Sequence, residues 1–271
     1  MSVFDDVADD LRAEGDDLRA AVAPLPTELW RAMTPAEGWT TATTIAHLLW
    51  TDEVAVLAAG AHTPAGKEAW DAVVLEAIAD PTGYVDARAL EIGDLAPDAL
   101  LARWDAARSA LPEALRAVPA GQKMPWFGPP MSPTSMATAR FMETWAHGLD
   151  VYDALVGAGA LAALPEPTDR IRHVAHIGVR TRGFAFANNG LEAPVEDIRV
   201  ELTAPSGESW TWGGEDAARR VSGSAYDFCR LVTQRVHRDD TDLVATGDDA
   251  ERWLTIAQAF AGPAGGGREK A

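Results

Sequence analysis

The stretch METWAHGLDVYDAL, residues 142–155, sets a glutamate, a histidine and an aspartate into what otherwise reads as the buried face of an amphipathic helix. At about 100° per residue, Glu143 and His147 lie one turn apart and Asp150 one turn further along the same stripe. Met142, Trp145, Leu149 and Tyr152 surround them with apolar surface. The stripe faces either water or something that rewards the burial of charge.

The periodicity around this stretch predicts a helix from about residue 134 to 156, and the sequence before it supplies helices to pack against. Phe4, Val7, Leu11, Leu18 and Val22 recur at helical spacing with acidic residues on the other faces, which predicts a first helix over about 2–23. The run TTATTIAHLLWTDEVAVLAAG, residues 40–60, places Ile45, Leu48, Leu49, Trp50, Val54 and Leu57 on a second helix, with threonines at its start and Gly60 at its end. A shorter helix is predicted over about 67–79, and another after APDAL carries Leu101, Trp104, Ala107 and Leu111 on one stripe. The Pro- and aromatic-rich MPWFGPPMSP, residues 124–133, reads as a stiff loop. Long amphipathic helices with such connections pack most economically as an antiparallel four-helix bundle, with the short helix as an extra.

After residue 160 the pattern changes. A helix is predicted over about 168–187, then a hairpin in IRVELTAPSGESWTWG, residues 198–213, with alternating Ile198, Val200 and Leu202. A short strand in RRVSG, a helix over about 225–237, a short LVATG segment and a last helix over 249–262 complete an α+β module. The expected organisation is a helical bundle over 1–160, a smaller α+β domain over 165–262 and a flexible tail over 263–271.

Composition excludes several classes of function. A net charge of -18 opposes phosphate backbones and anionic membrane surfaces, so neither nucleic acid nor membrane is an expected partner. No apolar run is long enough to span a bilayer, and the acidic start MSVFDDVADDLRAEGDDLR lacks the features of a signal peptide, so a cytoplasmic location is expected. The single cysteine, Cys229, rules out an intrachain disulfide and reads as a core thiol on an apolar helix face.

Glu143 and His147 can present a carboxylate oxygen and an imidazole nitrogen on one face, a spacing that chelates a divalent metal without bending the helix. Two donors do not make a site. His47 interrupts the apolar run TIAHLLW on the second helix and is the natural third donor, since inward-facing residues of two bundle helices meet in the core. Taken alone, the residues equally allow a hydrogen-bonded core histidine at 47 and a surface Glu–His pair at 143 and 147. Asp150 is placed to accept the second N–H of His147, or to be solvated. Asp52 and Glu53 fall off the His47 face and read as surface acids, Arg180 and Arg182 as exposed charges, and His173 and His176 as surface or interface histidines.

TTIAHLLWTD followed by ARFMETWAHGLDVYDAL resembles the metal-binding pattern of the mycothiol-dependent maleylpyruvate isomerase family, a branch of the DinB-like bundles. RVSGSAYDFCRLVTQRVHRDD and GDDAERWL resemble the sterol-carrier-like C-terminal domain found there, and PWFGPPMS and AQAFAGP suggest an actinobacterial subgroup. The resemblance implies a DinB-like four-helix bundle followed by a smaller sterol-carrier-like domain. It implies a divalent ion held by His47, Glu143 and His147, zinc first, with nickel, cobalt and iron also suited to such donors. It further implies an enzyme using mycothiol as co-substrate to attack a small electrophile, by S-transfer or by thiol-dependent cis–trans isomerisation. Arg235, in VTQRV, falls where that family places a functionally important arginine, and an ordinary surface ion pair is its alternative. The same ligands would also serve a hydrolase or lyase using metal-bound water, and the second domain a non-enzymatic role in holding an apolar ligand.

Overall fold

Serine and threonine caps start the helices where apolar periodicity begins. Ser2 opens α1 (Val3–Val22) with a reciprocal capping box to Asp5, and Thr40 opens α2 (Thr41–Gly60) by accepting the Thr43 N–H. Thr63 and Ser132 cap α3 (Pro64–Ala79) and α6 (Pro133–Gly157), each followed directly by a proline whose missing N–H costs nothing there. Between them lie α4 (Tyr84–Gly93) and α5 (Pro97–Ala117). The computed structural model describes residues 2–271, which divide into two units on either side of the Pro165–Glu166 bond.

In the first unit the four long helices α1, α2, α5 and α6 form the body that the sequence predicts, with α2 at its centre against α4, α5 and α6. Helix α2 is buried on nearly every side, so Ile45, Leu48 and Leu49 meet Leu100, Trp104 and Leu111 in one core. Each fully buried leucine or phenylalanine contributes roughly 1.5–3 kcal/mol relative to exposure. The helix α4 was not expected from the sequence. It has no side-chain cap and buries only Ala89 and Ile92, so its packing on α2 rather than its own pattern makes it helical.

In the second unit the helix expected over 168–187 breaks at Thr181 into α7 (Arg172–Arg180) and α8 (Arg182–Asn188). The Thr181 hydroxyl donates to the Ile177 and Gly178 carbonyls, a local bond that competes with helix continuation. The hairpin forms as β1 (Ile198–Thr203) and β2 (Ser209–Trp212), followed by β3 (Arg219–Ser224), α9 (Ala225–Val232), β4 (Val244–Thr246) and α10 (Asp248–Ile256). Sheet order is β2-β1-β3-β4, with β1 parallel to β3 in the register Val200 to Val221 and both edge pairs antiparallel. Helix α9 stops short of residue 237 because Gln234 turns left-handed at φ 60° and the Arg235 N–H bonds back to the Arg230 carbonyl. Helix α10 stops before 262 because Ala257 is extended and the Ala259 N–H goes to the Val232 carbonyl. Among the described residues no helix is long and apolar enough to cross a membrane.

Candidate metal centre

Helices α2 and α6 bring His47, Glu143 and His147 together, with one donor atom of each within 4.8 Å of the others. The Glu143 Oε2 atom lies 3.4 Å from His47 Nε2 and 3.3 Å from His147 Nε2. Both separations are long for hydrogen bonds. They match the edge of a tetrahedron around an ion with 2.0–2.1 Å bonds, which is about 3.3 Å.

On its other side the His147 ring places Nδ1 3.3 Å from Oδ2 of Asp150, a carboxylate only 1% exposed. A neutral His147 that donates Nδ1–H to Asp150 turns a lone pair on Nε2 toward the Glu143 carboxylate oxygen. In that tautomer lone pair would meet lone pair, an arrangement that a cation between them relieves, so the donor set fits a divalent ion. Burial pushes the His47 imidazole down to about 4 against a smaller opposing effect of Glu143, which leaves this ring neutral at pH 7. Burial pushes the Glu143 carboxyl up, but its contacts with His147 and His47 together more than offset this and hold it well below its usual range. A neutral His47 imidazole and a Glu143 carboxylate are protonation states in which each can donate to a metal.

Trp39, which sequence reasoning passed over, forms a wall of the site. Its ring stacks on His147 at 5.5 Å and 18° and leans on His47 at 5.0 Å. The loop that carries it is pinned by the Thr34 N–H to the Trp39 carbonyl and by the Trp39 N–H to the Ala36 carbonyl, with Gly38 supplying the left-handed turn. No periodicity marks a residue in such a loop. Arg140 was also missed, although it lies on the Glu143–His147–Asp150 stripe. Its Nε donates to Asp52 Oδ1 at 2.9 Å. Asp52, expected at the surface, is thus 3% exposed, because residues of α1, α5 and α6 (Leu11, Gly15, Arg108, Leu111 and Thr144) close around it with Arg140. Glu53 does face outward, in a bidentate pair with Arg103.

Other expectations resolve within the second unit. Arg235 is half-buried on the turn after α9 and its Nη1 donates to the Thr233 carbonyl at 2.5 Å. Arg182, expected to be exposed, is buried after the break at Thr181, and its Nη1 donates to the Glu196 carbonyl. Arg180 is exposed, as is His176, whose Nδ1 accepts from Trp212 Nε1. Cys229 is fully buried, donates Sγ–H to the Ile171 carbonyl, and is raised by burial well above the usual thiol range. A chromogenic disulfide reagent at pH 8 is therefore expected to titrate no thiol in the folded protein and one after denaturation; rapid reaction of the native protein would contradict this.

Residues 11–152 match the family described as mycothiol maleylpyruvate isomerase N-terminal domain. Residues 194–246, which hold the four strands, match one described as wyosine base formation, a segment too short to assign the chain, rather than the sterol-carrier-like domain that the resemblance implies. Uncharacterized proteins from two strains of Mycobacterium tuberculosis are each 54% identical over 259 residues, covering 96% of this chain and 96% of theirs. Crystal structures of the mycothiol-dependent maleylpyruvate isomerase and of a histidine-to-alanine mutant of it are 16% and 17% identical, with TM-scores of 0.56 and 0.57. Each alignment covers 90% of this chain and 95% of that one, a likeness of fold along nearly the whole length.

Proposed function

The chain belongs to the mycothiol maleylpyruvate isomerase N-terminal domain family, and from that premise we propose that it is a metal-dependent enzyme activating a low-molecular-weight thiol, mycothiol, for attack on an electrophilic small molecule. The observation that carries this reading is the convergence of His47, Glu143 and His147 from two helices on one point, with Asp150 behind His147. Three protein donors with positions left open describe a catalytic rather than a structural centre. A divalent ion held there, zinc by preference, would supply the Lewis acidity that makes a soft thiol a thiolate near neutral pH.

The chain's own residues do the rest. Asp150 holds the His147 Nδ1 proton and so keeps the Nε2 lone pair directed at the site. Trp39 restrains both imidazole planes and keeps water from one side of them. Arg235 is assigned to recognition of a carboxylate on the substrate or thiol, the geometry to which a guanidinium is suited. Cys229 is too deeply buried to be the nucleophile, so the sulfur comes from outside the chain.

Metal analysis of the purified protein, followed by turnover of a maleylpyruvate-type electrophile with and without added mycothiol, tests the proposal. Turnover only with the thiol is the expected result. Hydrolysis of an ester or amide with no thiol present would instead favour metal-bound water as nucleophile. Asp150→Asn is expected to weaken metal binding by about 10–100-fold in chelator competition, and an unchanged affinity would remove Asp150 from the site. Arg235→Lys is expected to raise KM for a dicarboxylate substrate several-fold while metal affinity stays constant; an unchanged KM would return Arg235 to an ordinary structural role.

A further inference from the structure

We infer that the buried Asp52–Arg140 pair is a positioning device for the metal centre, fixing the register of α2 against α6 and so setting how far His47 reaches toward Glu143 and His147. The inference rests on the metal-centre reading above. Its starting point is an asymmetry between the two histidines. His147 has a carboxylate on its Nδ1, whereas the Nδ1 of His47 is buried with no hydrogen-bond partner among the described residues. Nothing holds the His47 ring from its Nδ1 side, so its place depends on the backbone of α2, on the lean of Trp39 and on the Glu143 carboxylate across the site.

The backbone of α2 has few means of holding its own axial position. Around His47 it presents Ile45, Ala46, Leu48 and Leu49, all fully buried, and contacts of that kind are non-directional. Arg140 supplies direction. Its Nε donates to Asp52 Oδ1 at 2.9 Å and its Nη2 reaches the Leu48 carbonyl at 3.4 Å, so one planar group on α6 grips α2 at two places one turn apart. Leu48 is the residue after His47, and Arg140 lies three residues before Glu143, so the grip and the donor set share the same stretch of both helices. A shift of one residue along a helix moves a side chain by about 1.5 Å. Metal–donor distances tolerate about 0.2 Å.

Stability alone does not account for the pair. Its side chains are 3% and 4% exposed, and ion pairs taken so far from water are often matched or bettered by apolar residues of the same volume. Asp52 also borders a cavity of about 10 Å³ with Arg108 and Thr144, about the room of a single water. What an Arg–Asp pair adds over a Leu–Met pair at this place is a fixed register.

The test uses the full chain loaded with Co²⁺, whose visible absorption reports coordination number and geometry. The double variant Asp52→Leu with Arg140→Met keeps the volume and removes the directional grip. It is expected to melt within a few degrees of the unsubstituted protein, to bind Co²⁺ about 10–100-fold more weakly, and to show altered visible bands. Arg140→Lys provides a second measurement should the double variant not fold. It keeps the charge but loses the fork, and is expected to weaken Co²⁺ binding at least several-fold. Unchanged Co²⁺ affinity and spectrum in a folded variant of either kind would overturn the inference while leaving the metal centre standing. Failure of the unsubstituted protein to bind Co²⁺ would overturn both.

Discussion

His147→Ala is expected to lower affinity for divalent metal by at least about 100-fold and to abolish thiol-dependent turnover while the helical unit still folds. Binding energies of roughly 10 kcal/mol or more for protein zinc sites, spread over three or four donors, make one imidazole worth roughly 3 kcal/mol. The substitution removes the donor whose Nε2 lies 3.3 Å from Glu143 Oε2 and the ring on which Trp39 stacks. It also takes one partner from the buried Asp150, so the apoprotein should lose about 1–3 kcal/mol of stability. Metal content after gel filtration, set beside a thermal melt of the metal-free protein, separates the two effects. Full metal content in the variant would remove His147 from the donor set.

The second large effect is on folding. Arg140→Ala leaves the Asp52 carboxylate in a site 3% exposed without its guanidinium, a change that costs about 3–5 kcal/mol. For a chain of this size that is a fall in melting temperature of roughly 6–20 °C. The pH dependence identifies the cause. Burial already pushes the Asp52 carboxyl above its usual range, against the opposing pull of Arg140, and removing Arg140 raises it further. A carboxyl whose folded pKa exceeds its unfolded value favours the fold while protonated, and that contribution is lost as pH rises through the folded pKa. The deficit of the variant against the unsubstituted protein should therefore shrink as pH falls toward the carboxylate range. A deficit constant between pH 7 and pH 5 would mean that lost packing, not the stranded charge, is responsible.

Asp52 also shows where the sequence stops being legible. The donors His47, Glu143 and His147 could be found because each violates a strong local pattern, a polar group at a position that the 3.6-residue period assigns to the core. Asp52 violates nothing locally, since it falls off the His47 face, and its burial is decided by residues of α1, α5 and α6 that come from far along the chain. Helix α4 itself left no signal, having neither a capping side chain nor a wide apolar stripe. Arg140 could have been read from the stripe, three residues before Glu143, had an arginine been weighed as an inward residue at all. Trp39 could not, because a loop residue's neighbours are set by chain geometry that no period encodes. In the second unit the alternation of Ile198, Val200 and Leu202 gave the central strand, whereas the helix ends at Thr181, Val232 and Ile256 depend on single backbone conformations or a side-chain hydrogen bond.

The two helices that supply the donors are far apart along the chain, His47 and Glu143 being separated by 96 residues. An ion bound by both closes a loop of that length, as a disulfide would, in a chain whose lone Cys229 forbids a covalent bridge. Unlike a covalent bridge, such a clasp obeys mass action. At a free metal concentration one hundred times the Kd it adds about 2.7 kcal/mol to the stability of the fold, and it adds nothing when metal is withheld. The thermal resistance of the helical unit thus becomes a readout of the metal supply around it, and a chelator should act on it as a denaturant.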